Sequence, residues 1–131
     1  MTSKPYRQSP RLAVGVTLTV LVASLLAGCA SPAANQSRFV GTWGSPGAGG
    51  APSLVLGADG TLSGTDGCNR LTGSWQDSNG VLTFPNMAST MMFCSGVDTW
   101  LSRAKSAMLK GENTLEFSDT SSVQIGSLPR N

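Results

Sequence analysis

The 131-residue chain contains no histidine. The commonest general base, the commonest metal ligand and the usual partner of a serine or cysteine nucleophile are therefore missing together. Charge is scarce too, with 9 Lys+Arg and 7 Asp+Glu and a formal net charge of +2. The small excess is local: Lys4, Arg7 and Arg11 lie at the start, whereas from Cys29 onward six basic residues face seven acidic ones. A near-neutral body without a basic stripe excludes a nucleic-acid binder of the usual electrostatic kind. The length allows one domain and no second core. Aromatic residues make up 6% of the chain and cysteines number three.

What the first residues do contain is an address. Residues 1–11 (MTSKPYRQSPR) are polar and carry no acid, and residues 12–26 (LAVGVTLTVLVASLL) are an uncharged run. A helix needs about 20 apolar residues to cross a bilayer, so this run fits a signal-peptide core better than a permanent span. It ends in Leu26-Ala27-Gly28-Cys29, which resembles the lipobox of bacterial lipoproteins. That resemblance implies a signal peptide over 1–28, a lipid on the Cys29 thiol, and residues 29–37 as a lipidated N-terminus and flexible tether. Two or more acyl chains anchor stably where one is marginal, each buried CH₂ adding about 0.8 kcal/mol. The expected location is the cell membrane of a bacterial envelope, lipid-anchored and outside the cytoplasm.

Once Cys29 is set aside, Cys68 and Cys94 remain, 26 positions apart. Outside the cytoplasm the simplest use of two thiols is one disulfide. Closing a loop of that length contributes roughly 3–3.5 kcal/mol in the chain-entropy account. No C-x-x-C and no histidine offers a redox pair or a zinc site instead, so no metal and no cofactor is expected.

The body, residues 38–131, reads as short strands broken by turns. Strand candidates are 38–43, 53–56, 61–64, 70–75, 81–84, 114–117 and 123–125. Gly57-Ala58-Asp59-Gly60 and Asp77-Ser78-Asn79-Gly80 are hairpin turns. Leu71, Gly73 and Trp75 alternate against Arg70, Thr72 and Ser74, the pattern of a half-buried strand. Over 97–109 the period changes: Val97, Trp100, Leu101, Ala104, Met108 and Leu109 recur at helical spacing, with Gly111 as a stop. The expectation is a mainly β (α+β) domain, a small antiparallel barrel or curled sheet with one packed helix in its C-terminal half. The glycine- and proline-rich loop 44–52 is expected to be mobile.

Four pieces then stand in a telling order: Gly64-Thr65-Asp66-Gly67-Cys68-Asn69-Arg70, Gly73-Ser74-Trp75, Leu82-Thr83-Phe84, and Ser89-Thr90-Met91-Met92-Phe93-Cys94. The series resembles the META domain (HslJ-like) family. The resemblance covers about residues 38–126 and implies a lipocalin-like antiparallel barrel with a packed helix. It also implies Gly64, Gly67, Asn69, Gly73 and Thr90 as structural motif positions. Members of that family are often envelope proteins or lipoproteins, some linked to stress responses, and no enzymatic activity or catalytic residue comes with the resemblance.

Individual residues support the same modest reading. Asp66 and Asn69 around Gly67 suggest a calcium- or anion-binding loop in miniature, but the full calcium spacing is absent and Asx residues hold turns through their own backbone. Asn69 is expected to tie the Cys68 corner to neighbouring backbone. Met87, Met91, Met92 and Phe93 are expected to fill the core, as are Trp43, Trp75 and Trp100. Ser89-Thr90 has hydroxyls without a base beside them in sequence. The expected function is non-enzymatic: binding or assembly in envelope stress tolerance, with the membrane as one partner. Two alternatives stand beside it, a carrier of a small apolar ligand inside the barrel and a chaperone or inhibitor module for an envelope protein.

Overall fold

The computed structural model describes residues 38–131. The expectations for the signal peptide, for Cys29 and for the tether therefore lie outside the described residues. Ten strands follow in order: β1 (Gly41–Gly44), β2 (Ser53–Leu56), β3 (Thr61–Thr65), β4 (Arg70–Ser74), β5 (Gln76–Ser78), β6 (Val81–Thr83), β7 (Ala88–Ser89), β8 (Ser106–Lys110), β9 (Thr114–Ser118) and β10 (Gln124–Pro129). All pairings are antiparallel and form two five-stranded sheets, ordered β1-β2-β3-β4-β7 and β10-β9-β8-β6-β5.

The turn chemistry explains much of this. Ser78 pairs with Val81 across Asn79 and Gly80, which have φ of 54° and 89°. Those positive angles are what a two-residue hairpin needs, and Asn-Gly supplies them at least cost. Trp75 alone separates β4 from β5, so one extended stretch passes from the first sheet into the second. Its backbone N–H donates to Gly60 O at 2.9 Å and its Nε1 to Gly57 O at 3.0 Å. On the other side the sheets meet at an isolated bridge, Trp43 to Arg130. The Arg130 guanidinium stacks on the Trp43 ring at 4.1 Å and donates to the carbonyls of Val40 and Arg38.

Between the sheets lies one apolar cluster. It includes Phe39, Trp43, Leu54, Leu56, Leu62, Leu71, Trp75, Leu82, Phe84, Leu101, Ala104, Ala107, Leu115, Phe117 and Leu128, each at most 2% exposed. Trp100 is half-buried and packs edge-on to Phe117.

Two expectations are corrected. The sheets are joined through Trp75 and the Trp43–Arg130 bridge and do not close into the continuous hydrogen-bonded barrel that the resemblance implies. Nor does a helix span 97–109. Only Trp100–Arg103 turns, as a 3-10 helix, and Ala104 is already extended at ψ 136°. From Ser106 the chain is β8, which pairs with β6 on one side and β9 on the other. The reason lies in the turn that follows: Lys110 pairs with Thr114, so residues 111–113 make a tight reversal with Gly111 at φ 64°. Residues 106–110 must then be extended to meet β9. The loop 44–52 carries backbone hydrogen bonds of its own. Ser45 N donates to Pro52 O, Ala48 N to Ser45 O and Ala51 N to Ala48 O.

Candidate functional site

The β3–β4 connection, Asp66 to Asn69, is built around a carboxylate. Asp66 is fully buried. Its Oδ1 accepts the backbone N–H of Cys68 at 2.9 Å and of Asn69 at 2.6 Å, and its Oδ2 accepts Asn69 Nδ2 at 3.2 Å. The backbone closes on itself through Asp66 N to Asn69 O, 3.2 Å. Gly67 has φ 98°, and a Cβ there would lie 2.5 Å from Gly50 O in the 44–52 loop. Only glycine satisfies both the left-handed angle and the close approach.

Asn69 turns this local corner into a long-range tie. Its Oδ1 accepts Thr90 Oγ1 at 3.1 Å and the backbone N–H of Met92 at 2.6 Å. Thr90 Oγ1 in turn accepts Arg70 N at 3.0 Å, and Thr90 N donates to Arg70 O at 3.2 Å. β7 pairs Leu71 with Ser89 and Thr72 with Ala88. Beyond it the chain runs through residues 90–94 without turn or bend. Just before β4 begins, the Asn69 side chain substitutes for a backbone acceptor and continues the ladder. The Cys68–Cys94 disulfide, with Cα atoms 5.7 Å apart, fixes the far end. Among the described residues every buried side-chain N or O has a hydrogen-bond partner, so the network is complete.

What this scaffold holds up is apolar. Met91 is 97% exposed, Phe93 92% and Met92 63%. The expectation of core filling is overturned for these three; Met87 alone of the group packs against the cluster. The reason is positional, because Thr90, Asn69 and Cys94 bind the segment by its backbone and ends while its side chains lie beyond Arg70, the first residue of β4. Open depressions flank it. One of about 750 Å³ is lined by Gly64, Thr65, Cys68, Asn69, Arg70, Thr90 and Met92. Another, of about 440 Å³, reaches from Met91 and Phe93 to Thr99 and Ser102 beside the 3-10 helix. Arg70 is exposed, and the ion pairs among the described residues, Arg103–Asp98 and Lys110–Glu116, do not include it.

The expected motif positions are therefore not all in one place. Asn69, Thr90, Gly67, Cys68 and Cys94 form this corner. Gly64 and Gly73 serve the sheet instead, where a Cβ would strike Ser53 O and Asn86 O respectively. The functional feature that sequence reasoning misses is the exposure of Met91–Phe93. The local pattern gives no sign of it, because three large apolar residues between a motif threonine and a bridged cysteine read equally well as core.

Ser89 Oγ donates to Thr90 O, and Thr90 Oγ1 is committed to Asn69 and Arg70. Among the described residues no group of three or more His, Cys, Asp or Glu side chains could hold a metal ion.

A sequence profile described as "META domain" matches residues 35–125. No curated protein matches the chain. A solved structure, the NMR structure of a protein from Burkholderia xenovorans, shares the fold with a TM-score of 0.53 at 16% identity, covering 97% of this chain and 98% of that one.

Proposed function

The chain belongs to the META domain family, and on that premise we propose that it is a non-enzymatic binding module. It is held at an envelope membrane by a lipid on Cys29 and engages another envelope protein in stress tolerance or assembly. The observation that carries this reading is the exposed Met91-Met92-Phe93 segment held by a buried polar network and a disulfide. Apolar groups left in water on a rigid support mark interaction sites, and rigidity reduces the entropy lost on binding. Met is adaptable and Phe supplies area, a combination suited to a partner surface.

The position of the segment supports the same reading. Arg38, the first described residue, lies beside Gly80 in the β5–β6 turn, whereas Met91–Phe93 lies beside Asn69 and Arg70, at the opposite end of the β4–β5 stretch. Residue 38, which the proposed tether precedes, and the apolar segment thus lie at opposite ends of that stretch. The META family is not a known enzyme family. The carrier alternative is less well supported, because the space between the sheets is occupied by the cluster of Trp, Phe and Leu side chains.

The test is a photo-cross-linking residue placed at Phe93 of the full-length protein in its own cells. Cross-links to a protein that vanish when Met91 is changed to Ser support the module. Cross-links to lipid alone, or none at all, overturn it. Mass spectrometry of the same material reads acylation, and an unmodified Cys29 thiol removes the anchor from the proposal.

A further inference from the structure

The hydrogen-bond phase along β7 shows which way each amide points. Thr90 N–H donates to Arg70 O and Met92 N–H to Asn69 Oδ1, so both face β4. In an antiparallel ladder the intervening residues face the other way. The amides of Ser89, Met91 and Phe93 thus line the outer edge of the first sheet, and among the described residues neither Met91 N nor Phe93 N donates to a backbone partner. Sheet edges are normally blunted by lysine, proline or a covering loop. Residues 88–93 carry no charge and no proline.

The two sides of this edge differ in chemistry. By alternation Met91 and Phe93 share the side of Ser89, next to the 440 Å³ depression. On the other side a depression of about 200 Å³ is lined by Arg70, Thr72, Ala88, Ser89 and Thr90. Arg70 is the cation there, and no acid pairs with it among the described residues.

We propose that the edge from Ala88 to Phe93 takes up an extended segment of another protein as an added β-strand. Its apolar residues lie against Met91 and Phe93, and the alternate ones, on the other side, include a carboxylate beside Arg70. The reading rests on the binding-module function above and deepens it by naming the partner's chemistry. Outward amides call for backbone carbonyls at strand spacing, which an extended peptide supplies and a lipid surface does not. A second copy joined through the same edge would bring another Arg70, and its residues 88–93 carry no acid to meet the first.

The probe is a fluorescein-labelled octapeptide alternating valine and glutamate, titrated into the full-length protein in mild detergent and followed by fluorescence anisotropy and amide hydrogen exchange. Binding is expected to slow exchange at Ser89, Met91 and Phe93 by about tenfold or more and to leave Thr90 and Met92 little changed. N-methylation of alternate amides of the peptide, and separately replacement of its glutamates by lysine, should each weaken binding by about tenfold. Arg70→Glu should reverse the preference between the glutamate and lysine peptides. An N-methylated peptide that binds equally well, unchanged exchange at the three amides, or no binding of the octapeptide overturns strand addition. A protein cross-link at position 93 alongside any of these results leaves the binding module standing and removes only its strand mechanism. Loss of that cross-link overturns the module itself.

Discussion

Two Asx corners flank β3 and start from the same local chemistry. In Gly57-Ala58-Asp59-Gly60, Asp59 Oδ1 accepts Thr61 N at 3.0 Å and Thr61 Oγ1 at 2.6 Å. In Asp66-Gly67-Cys68-Asn69, Asp66 Oδ1 accepts Cys68 N and Asn69 N. Each places a glycine at positive φ, Gly60 at 82° and Gly67 at 98°. The first corner is exposed and its carboxylate serves only the hairpin that contains it. The second is buried, and through Asn69 it holds residues more than 20 positions away. The same turn device thus closes a hairpin in water and, once desolvated, orders a distant segment. Burial makes the difference, because an amide removed from water costs about 1–3 kcal/mol if left unpaired and a charged group more, which favours the arrangement that satisfies all of its partners.

The largest way to break this contrast is to release the far end of the second corner. Reducing the Cys68–Cys94 bridge, or changing both residues to Ala, is expected to cost roughly 2–3.5 kcal/mol by the loop-closure account. Chemical denaturation with and without reductant measures it. Amide exchange of residues 89–93 should accelerate well below the denaturation midpoint, while that of residues 57–62 should not. Equal acceleration at both corners would show that the bridge stabilises the whole domain without any special hold on the segment.

Removing the amide that links the two elements is next. Asn69→Ala leaves Met92 N–H without its acceptor and Asp66 Oδ2 without a donor, for an expected loss of about 1–3 kcal/mol. Thr90→Val keeps the shape and deletes one hydroxyl that bonds both Asn69 and Arg70 N; about 1 kcal/mol is expected. The two changes share a bond, so their sum should exceed the loss in the double variant. Strict additivity in urea melts would show that Asn69 and Thr90 act independently.

Much of both corners is legible in the amino-acid sequence alone. Asp59-Gly60 signals a turn, and strands 53–56 and 61–64 follow from the residues on either side of it, one residue short of the observed Thr65. Asn69 as a tie to neighbouring backbone is legible because a buried amide needs partners. Two features are not legible, for separate physical reasons. Over 97–109 the apolar residues fit a 3.6-residue period, yet Ala107 and Leu109 also fit a period of two. The short reversal after Lys110, which decides for the strand, is a tertiary constraint. Met91, Met92 and Phe93 resemble core because large apolar residues usually are. Their exposure depends on the bridge and Asn69 holding the backbone, and no local pattern encodes where a held segment will project.

The smallest effect sharpens the comparison from the exposed side. The Thr61 hydroxyl, and after it the Thr61 N–H, hold the Asp59 carboxyl below its ordinary value of 3.8. A carboxylate whose pKa is depressed in the folded state adds stability above the unfolded value, and that contribution disappears as pH falls through the folded one. The window is therefore acidic, beginning near 3.8 and extending below it, and the side chain's full exposure keeps the effect small. Thr61→Val removes the leading donor and keeps the backbone one, so the Asp59 midpoint should move back toward 3.8 without reaching it. A carbon-detected NMR titration from about pH 2 to pH 6 reads both midpoints. A wild-type midpoint at or above 3.8 would mean that water already competes successfully with the Thr61 hydroxyl. The exposed corner would then be held by its glycines and backbone alone, and the carboxylate would matter only where it is buried.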